Sequence, residues 1–201
     1  MRKVSIKVRM IMPTRNEKVM HFLLNRRSRP AKTLSKPIPN KAELIELLSA
    51  GARTPDHGKL VPWRFIVLQG KTLSKLGKLV EKIGSKESIP EDKIAKAKKQ
   101  LDDGHLAVAV IEVQKESEKI PSIEQTYSAG AVCLSLLNAA LAAGWGANWL
   151  TGWHVYNKEF EKSGLGLGDN ETVAGLIYMG TESIAPPDRP RPNLDEIVEW
   201  L

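Results

Sequence analysis

Asn25-Arg26-Arg27-Ser28-Arg29 sets guanidinium groups beside a hydroxyl at the end of an expected helix. A guanidinium presents a planar fork of donors that suits a phosphate, and the same residues could equally complement the carbonyl end of a helix. On the residues alone both readings stay open. A second candidate is Arg53-Thr54-Pro55-Asp56-His57, followed by Pro62-Trp63-Arg64-Phe65. A proline-braced loop ahead of a core strand is a rigid place for a ligand, or else a turn with Trp63 packed inside. The one cysteine, Cys133, lies in an apolar helical run and reads as a packing residue rather than a nucleophile.

Self-contained catalytic patterns are missing. Gly164, Gly166 and Gly168 have the wrong spacing for a dinucleotide-binding glycine fingerprint and follow a helix rather than a strand. Gly58-Lys59 lacks the upstream glycine of a phosphate-binding P-loop. The histidines do not pair with each other or with Cys133 at metal-ligand spacing, and no nucleophile elbow occurs. No metal site is expected. A bound organic cofactor is then the natural carrier of any reaction.

Helices and strands alternate along the chain. Helical patterns are expected over Glu17–Arg27, from the capping pair Asn40/Glu43 to Gly51, over Lys71–Ile83, Pro90–Leu101 and Tyr156–Lys162, and in a last turn at Asp195–Trp200. Ser122 with Gln125 resembles another capping box and opens the longest helix, ending at Gly144. Apolar, β-branched runs at Phe65–Leu68, Leu106–Val113, Ala147–Leu150 and Val173–Met179 read as strands. Alternation of this kind means α/β or α+β. Residues 1–16 form a loose basic arm and residues 17–201 a single domain. Tyr127 reads as core at helical spacing. His154 and Trp153 read first as interface packing, second as a pocket border.

The chain has 201 residues, 42% hydrophobic and 26% charged, which fits a packed globular protein. No apolar run is long enough to span a membrane, and a lone cysteine fits a reducing, cytoplasmic setting. The net charge of +7 invites nucleic acid, membrane surface or small anions as partners. The lysines at 93, 96, 98 and 99 lack interleaved aromatics, so they read as a solvated helix face, not a nucleic-acid site. A phosphate-bearing cofactor accounts for the charge better than nucleic acid or membrane.

Taken in order, Arg26-Arg27-Ser28, Ala50-Gly51-Ala52-Arg53-Thr54-Pro55-Asp56-His57 and Pro62-Trp63-Arg64-Phe65 resemble the three N-terminal signatures of the nitroreductase family. Ser128-Ala129-Gly130-Ala131, the run from Ala143 to Gly152, Gly175 to Thr181 and the tail Arg191-Pro192-Asn193-Leu194 continue the likeness. It covers about residue 17 to the end, and Arg-x-Pro-Asp-His resembles the small, minimal branch of the family.

The resemblance implies an α+β fold with a central mixed sheet flanked by helices, and an intertwined homodimer with flavin mononucleotide (FMN) at its interface. It implies an oxidoreductase that passes hydride from NADH or NADPH through the flavin to a small electron-poor acceptor, such as a nitroaromatic or quinone, in a ping-pong cycle. A flavin-binding or flavin-processing protein of the same fold with little NAD(P)H turnover is the alternative. Carried over by position, Arg26, Arg27, Ser28, Arg53, His57, Trp149, Leu150, Thr151 and Arg191 contact FMN. Ala139, Ala140, Leu141, Ala142, Ala143 and Gly144 match a segment that meets NAD(P)H. No side chain is implied as catalytic, since the chemistry belongs to the flavin. The chain departs from many relatives before Pro62, where Leu60 and Val61 stand in place of polar residues that pair with the flavin ring, which leaves ring recognition to backbone groups. Position 150 is leucine, not a basic residue.

Overall fold

The computed structural model describes residues 14–201, so most of the expected basic arm lies outside the described residues. The sheet is organised around β5 (Glu171–Glu182), which pairs on one edge with β3 (Leu106–Val113) and on the other with β4 (Gly146–Leu150). β2 (Trp63–Gln69) lies outside β3, and the two-residue β1 (Leu34–Ser35) pairs with the end of β5. Each described pairing in the sheet is antiparallel. β3 and β4 both oppose β5 and therefore run parallel to each other, with β5 inserted between them. Parallel strands need a long crossover, and α5 (Ser122–Ala142) supplies it.

Two layers of helix cover the sheet. On one face α3 (Lys71–Lys86) and α4 (Glu91–Asp102) bury Leu73, Leu76, Val80, Ile83 and Leu101 against Ala107, Ala109, Ile111 and Leu176. On the other, α2 (Lys41–Gly51) and α5 bury Leu44, Leu47, Val132, Leu136 and Leu137 against Leu106, Val108, Val110 and Ile177. β3 alternates between the two cores and is buried on both faces, as its apolar run from Leu106 to Ile111 requires. Cys133 is fully buried, and burial pushes its thiol up to about 12, so packing is its role. No helix among the described residues is long and apolar enough to cross a membrane.

The local signals account for most element ends. Asn40 and Glu43 form the expected reciprocal cap of α2. Ser122 and Gln125 do not cap α5; the Gln125 amide instead bonds the backbone N–H and C=O of Lys115 at 2.8 and 2.9 Å, pinning the preceding loop. α1 (Glu17–Asn25) stops two residues short of Arg27, because Arg26 turns out of the helix with φ −57°, ψ 143°. The expected helix over 156–162 is divided between a turn at Trp153–Tyr156 and a wide turn at Phe160–Gly164.

One register irregularity fixes the middle of the sheet. Between Val110 and Ile111 the β3–β5 pairing slips, so Val110 faces Gly175 while Ile111 faces Val173, leaving Ala174 as an extra residue. Trp149 of β4 lays its indole over Gly175, where a Cβ would fall 2.0 Å from the indole nitrogen. Gly175→Ala is therefore expected to push Trp149 out and destabilise the fold by about 1–3 kcal/mol, read as a lower urea midpoint with a shifted tryptophan emission.

His154 is 1% exposed, lies edge-on to Phe160 and Trp153, and makes no hydrogen bond from either ring nitrogen. Burial lowers its pKa from 6.5 to about 4. Below the ordinary histidine range the unfolded chain takes up a proton that the folded chain refuses until about pH 4. Stability is then present above pH 6.5 and falls as pH drops toward 4, by roughly 3 kcal/mol in full. His154→Phe should flatten this part of a stability-versus-pH curve from chemical denaturation; an unchanged slope would refute the assignment.

Candidate functional site

The turn that ends α1 gathers charge. Arg26 donates to Ser28 Oγ at 3.1 Å, Arg27 donates to the Ser28 carbonyl at 3.4 Å, and the Nε atoms of both arginines are buried without a partner. Burial, then the neighbouring cations of Arg191 and Arg27, hold the Arg26 guanidinium below its ordinary value. Like charges so arranged repel one another. Acidic relief is slight: Asp188 pairs with Arg191 at 3.0 Å, and Glu182 with Arg29 at 3.0 Å. The arrangement invites an anion. The structure therefore brings together Arg26, Arg27, Ser28 and Arg191, which lie far apart in sequence. The Arg29 N–H donates to the Ala147 carbonyl at 2.8 Å, which ties this cluster to the start of β4.

β4 then leads into a cavity. Leu150, Asn148, Pro30 and Ala31 form one wall, and Lys96, Lys99 and Gln100 of α4 form the other, around about 380 Å³. A smaller cavity of about 210 Å³ shares Lys96 and Gln100 and is closed by Thr151, Gly152, Trp153 and His154. The lysines of α4 are thus not merely a solvated face. Lys98 pairs with Asp102 at 2.9 Å and Lys99 with Asp103 at 2.8 Å, while Lys96 has no acidic partner among the described residues. The place of Lys96 on a cavity wall was not legible in the sequence, because helical spacing shows which residues share a face but not what that face meets. These lysines stand opposite Leu150, where a basic residue is missing. Trp149 itself is half-buried over Gly175, leaving Leu150 and Thr151 to border the cavities.

The end of α5 borders the arginine cluster from another side. Leu141 and Gly144 line a cavity of about 370 Å³ with Arg26, Arg27 and Arg29. Ala142, Ala143 and Gly144 are exposed, Ala139 and Leu141 half-buried, and Ala140 is packed in the core. A helix end presents carbonyl groups, so any anion held beside residues 139–144 depends on those arginines.

Arg53 and His57 occupy a separate place. Thr54 Oγ1 bonds the Gly51 carbonyl and Ser135 Oγ, each at 2.9 Å, and Ser128 Oγ donates to the Pro55 carbonyl at 2.8 Å. Small hydroxyl residues of α5 thereby anchor the loop. The Asp56 carboxylate accepts from the N–H groups of Leu60 and Val61, and holds Lys59 and Val61 at φ 56° and 49°. A valine there stores strain that only a well-braced loop retains. His57 Nδ1 meets Glu124 Oε2 at 2.6 Å, and both line a shallow cavity with Tyr127. Tyr127 is 68% exposed, not core. The Arg53 side chain is exposed with no partner among the described residues. No described hydrogen bond or cavity joins Arg53 or His57 to the cluster at Arg26, Arg27 and Arg191.

Comparison with known proteins agrees with the order of these elements. The family model described as the nitroreductase family matches residues 23–181. A Haemophilus influenzae protein named "Putative NAD(P)H nitroreductase" is 32% identical over 151 residues, 75% of this chain and 82% of the relative. The Escherichia coli K12 protein named "Putative NAD(P)H nitroreductase YdjA" is 29% identical over 165 residues, 82% of this chain and 88% of the relative. Among solved structures, a nitroreductase-like family protein from Bacillus cereus superposes with a TM-score of 0.76 at 24% identity, covering 95% of this chain and 99% of its own. A Desulfovibrio desulfuricans nitroreductase in complex with FMN superposes with a TM-score of 0.72 at 18% identity, covering 94% and 99%. The ordered motifs, the β5-centred sheet and these matches place this chain in the nitroreductase family.

Proposed function

We propose that this chain is an FMN-dependent oxidoreductase that draws on NADH or NADPH and serves a small electron-poor acceptor such as a nitroaromatic or quinone. The observation that carries the reading is that Arg26 and Arg27 are half-buried with their Nε atoms unpartnered, while Arg191 adds a like charge beside Arg26. Such a cluster fits the phosphate of a mononucleotide, and it lies beside β4, whose far end opens into a cavity suited to a planar ring. When bound, FMN supplies two-electron transfer between nicotinamide and acceptor.

The chain's own residues have separable tasks. Arg26, Arg27 and Arg191 neutralise phosphate charge, and Ser28 orients Arg26. Lys96 places positive charge across from Leu150, where electron density accumulates on a reduced ring, while Lys99 is neutralised by Asp103 on the same wall. Trp149, fixed over Gly175, holds the β4 end in place for Leu150 and Thr151. The open end of α5 at Ala142, Ala143 and Gly144 leaves room for the nicotinamide cofactor beside the arginines.

Arg53 and His57 join this site through a second copy of the chain. The protomer exposes apolar surface that a monomer has no use for: Val19, Leu23 and Leu24 of α1, Leu134 and Tyr127 of α5, and Ile197, Val198 and Trp200 of the tail. A groove of about 550 Å³ along Leu44, Ile45, Leu48 and Val67 offers a seat for such a tail from a partner. The homodimer then presents the Arg53–His57 loop of one copy to the arginine cluster of the other.

Purified protein should be yellow. Anaerobic mixing with NADH or NADPH should bleach the flavin in a stopped-flow trace, and a quinone or nitroaromatic should restore it. Flavin that neither nicotinamide bleaches would mark the storage or processing alternative. Arg26→Ala should weaken FMN binding about tenfold or more while leaving riboflavin, which lacks the phosphate, within about twofold. Removal of residues 194–201 should shift sedimentation from dimer toward monomer; a truncated chain that stays dimeric would sink the role given to the tail.

A further inference from the structure

We propose that His57 and Glu124 form a proton-donating dyad for the electron-poor acceptor, with His57 the catalytic residue and Glu124 its positioning residue; this rests on the FMN reading and the paired copies above. His57 Nδ1 lies 2.6 Å from Glu124 Oε2. A carboxylate only accepts hydrogen bonds, so the ring carries a hydrogen on Nδ1 and donates it to Glu124. Nε2 is then the nitrogen that can take up and release a proton. It has no hydrogen-bond partner among the described residues, and the side chains of His57 and Glu124 are 65% and 43% exposed. Water can therefore reload Nε2 after each transfer, which the buried imidazole of His154 does not allow. Asp56, the neighbouring carboxylate in the loop, does not compete for the ring, because it accepts from the N–H groups of Leu60 and Val61.

The dyad is held in place and faces open space. Ser128 Oγ donates to the Pro55 carbonyl at 2.8 Å, and Ile120 clamps the loop at Gly58, where a Cβ would fall 2.1 Å from Ile120 Cδ1. His57 and Glu124 line a cavity of about 320 Å³ with Pro55 and Tyr127. Tyr127 follows Glu124 by one turn of α5 and is 68% exposed, so its ring offers a free planar face to an aromatic acceptor. The reaction needs what the dyad supplies. Hydride from the reduced ring brings a quinone both electrons and one hydrogen, and a hydroquinone forms only when a proton reaches the other oxygen. The Nε2–H bond of protonated His57 breaks, an O–H bond forms, and the neutral imidazole left behind is reprotonated by water. A nitroaromatic uses the same hydride and proton: one N–O bond breaks, water leaves and a nitroso compound remains. Reduction of the ring by NADH or NADPH is a hydride transfer that draws nothing from the dyad.

The test compares p-benzoquinone with ferricyanide, which takes electrons singly and needs no proton. Holo-protein of matched flavin content is used throughout. Glu124→Ala should lower kcat/KM for the quinone about tenfold or more, while ferricyanide reduction and anaerobic bleaching by NADH or NADPH stay within about twofold. Glu124 is exposed at the first turn of α5, so its variant keeps the core intact. A second readout does not depend on turnover. In nitrogen NMR of the full chain with isotope-labelled histidine, neutral His57 should carry its hydrogen on Nδ1, the minor form of free histidine, and Glu124→Ala should return it to Nε2. A wild type with the hydrogen on Nε2 overturns the dyad alone. So does a Glu124→Ala protein that keeps full quinone reduction, or one that loses both acceptors alike. A wild type that holds no flavin, or whose flavin neither nicotinamide bleaches, overturns the FMN oxidoreductase reading and this inference with it.

Discussion

β5 is held on both edges, and that double pairing sets where everything else can go. Its opposition to β3 and to β4 makes those two strands parallel, which forces a long crossover and gives α5 its path across the sheet. The same strand carries Gly175, the point where Trp149 closes over the sheet, and Tyr178, which lies under Gln100. The cluster at Arg26 and Arg27 reaches β4 only because the chain after α1 bonds Ala147 on the strand beside β5. Near the start of β5, Glu171 binds Arg64 of β2 through two hydrogen bonds of 2.6 and 2.8 Å, and that guanidinium lowers the carboxyl to about 2. The sheet is thus tied across its width by side chains as well as by its ladders.

Helix α5 works as a rack for polar groups as much as a core element. Its close approach to α2 depends on Gly51 of that helix, where a Cβ would fall 3.2 Å from Leu136 Cβ. The hydroxyls of Ser128 and Ser135 hold the loop bearing Arg53 and His57, and Glu124 holds His57 itself. An alanine-rich helix would pack as well without these hydroxyls, but the loop would lose its anchors, and the left-handed Val61 would lose the context that sustains it.

Much of this was legible in the sequence, for identifiable reasons. The cap at Asn40 and Glu43, the apolar run from Leu106 to Ile111 in β3 and the β4 strand before Gly152 are local signals, and local physics settles them. The ordered motifs brought Arg26, Arg27 and Arg191 into one expectation although their proximity is created only by tertiary folding. What failed depended on distant partners. Gln125 has the spacing of a cap residue but finds Lys115 within reach first. β1 is two residues long and exists only because β5 extends far enough to meet it. Tyr127 has core spacing on a helix face that the chain leaves open. Lys96 and Gln100 sit in a polar helix whose composition says nothing of the cavity it walls.

The arrangement of charge gives the site its direction. Arg26, Arg27 and Arg191 lie at one end and repel each other, so an anion there relieves strain already present in the protein. The other end has uncharged donors, Gln100 and a histidine that burial keeps neutral, with lysines at the rim. A ligand with a dianionic head and a neutral, hydrogen-bonding tail matches both ends, and one with charge at both ends does not, since an anion inside the small cavity would face desolvation that neutral donors compensate only in part. The gradient from guanidinium to neutral imidazole therefore favours one orientation of such a ligand over the reverse.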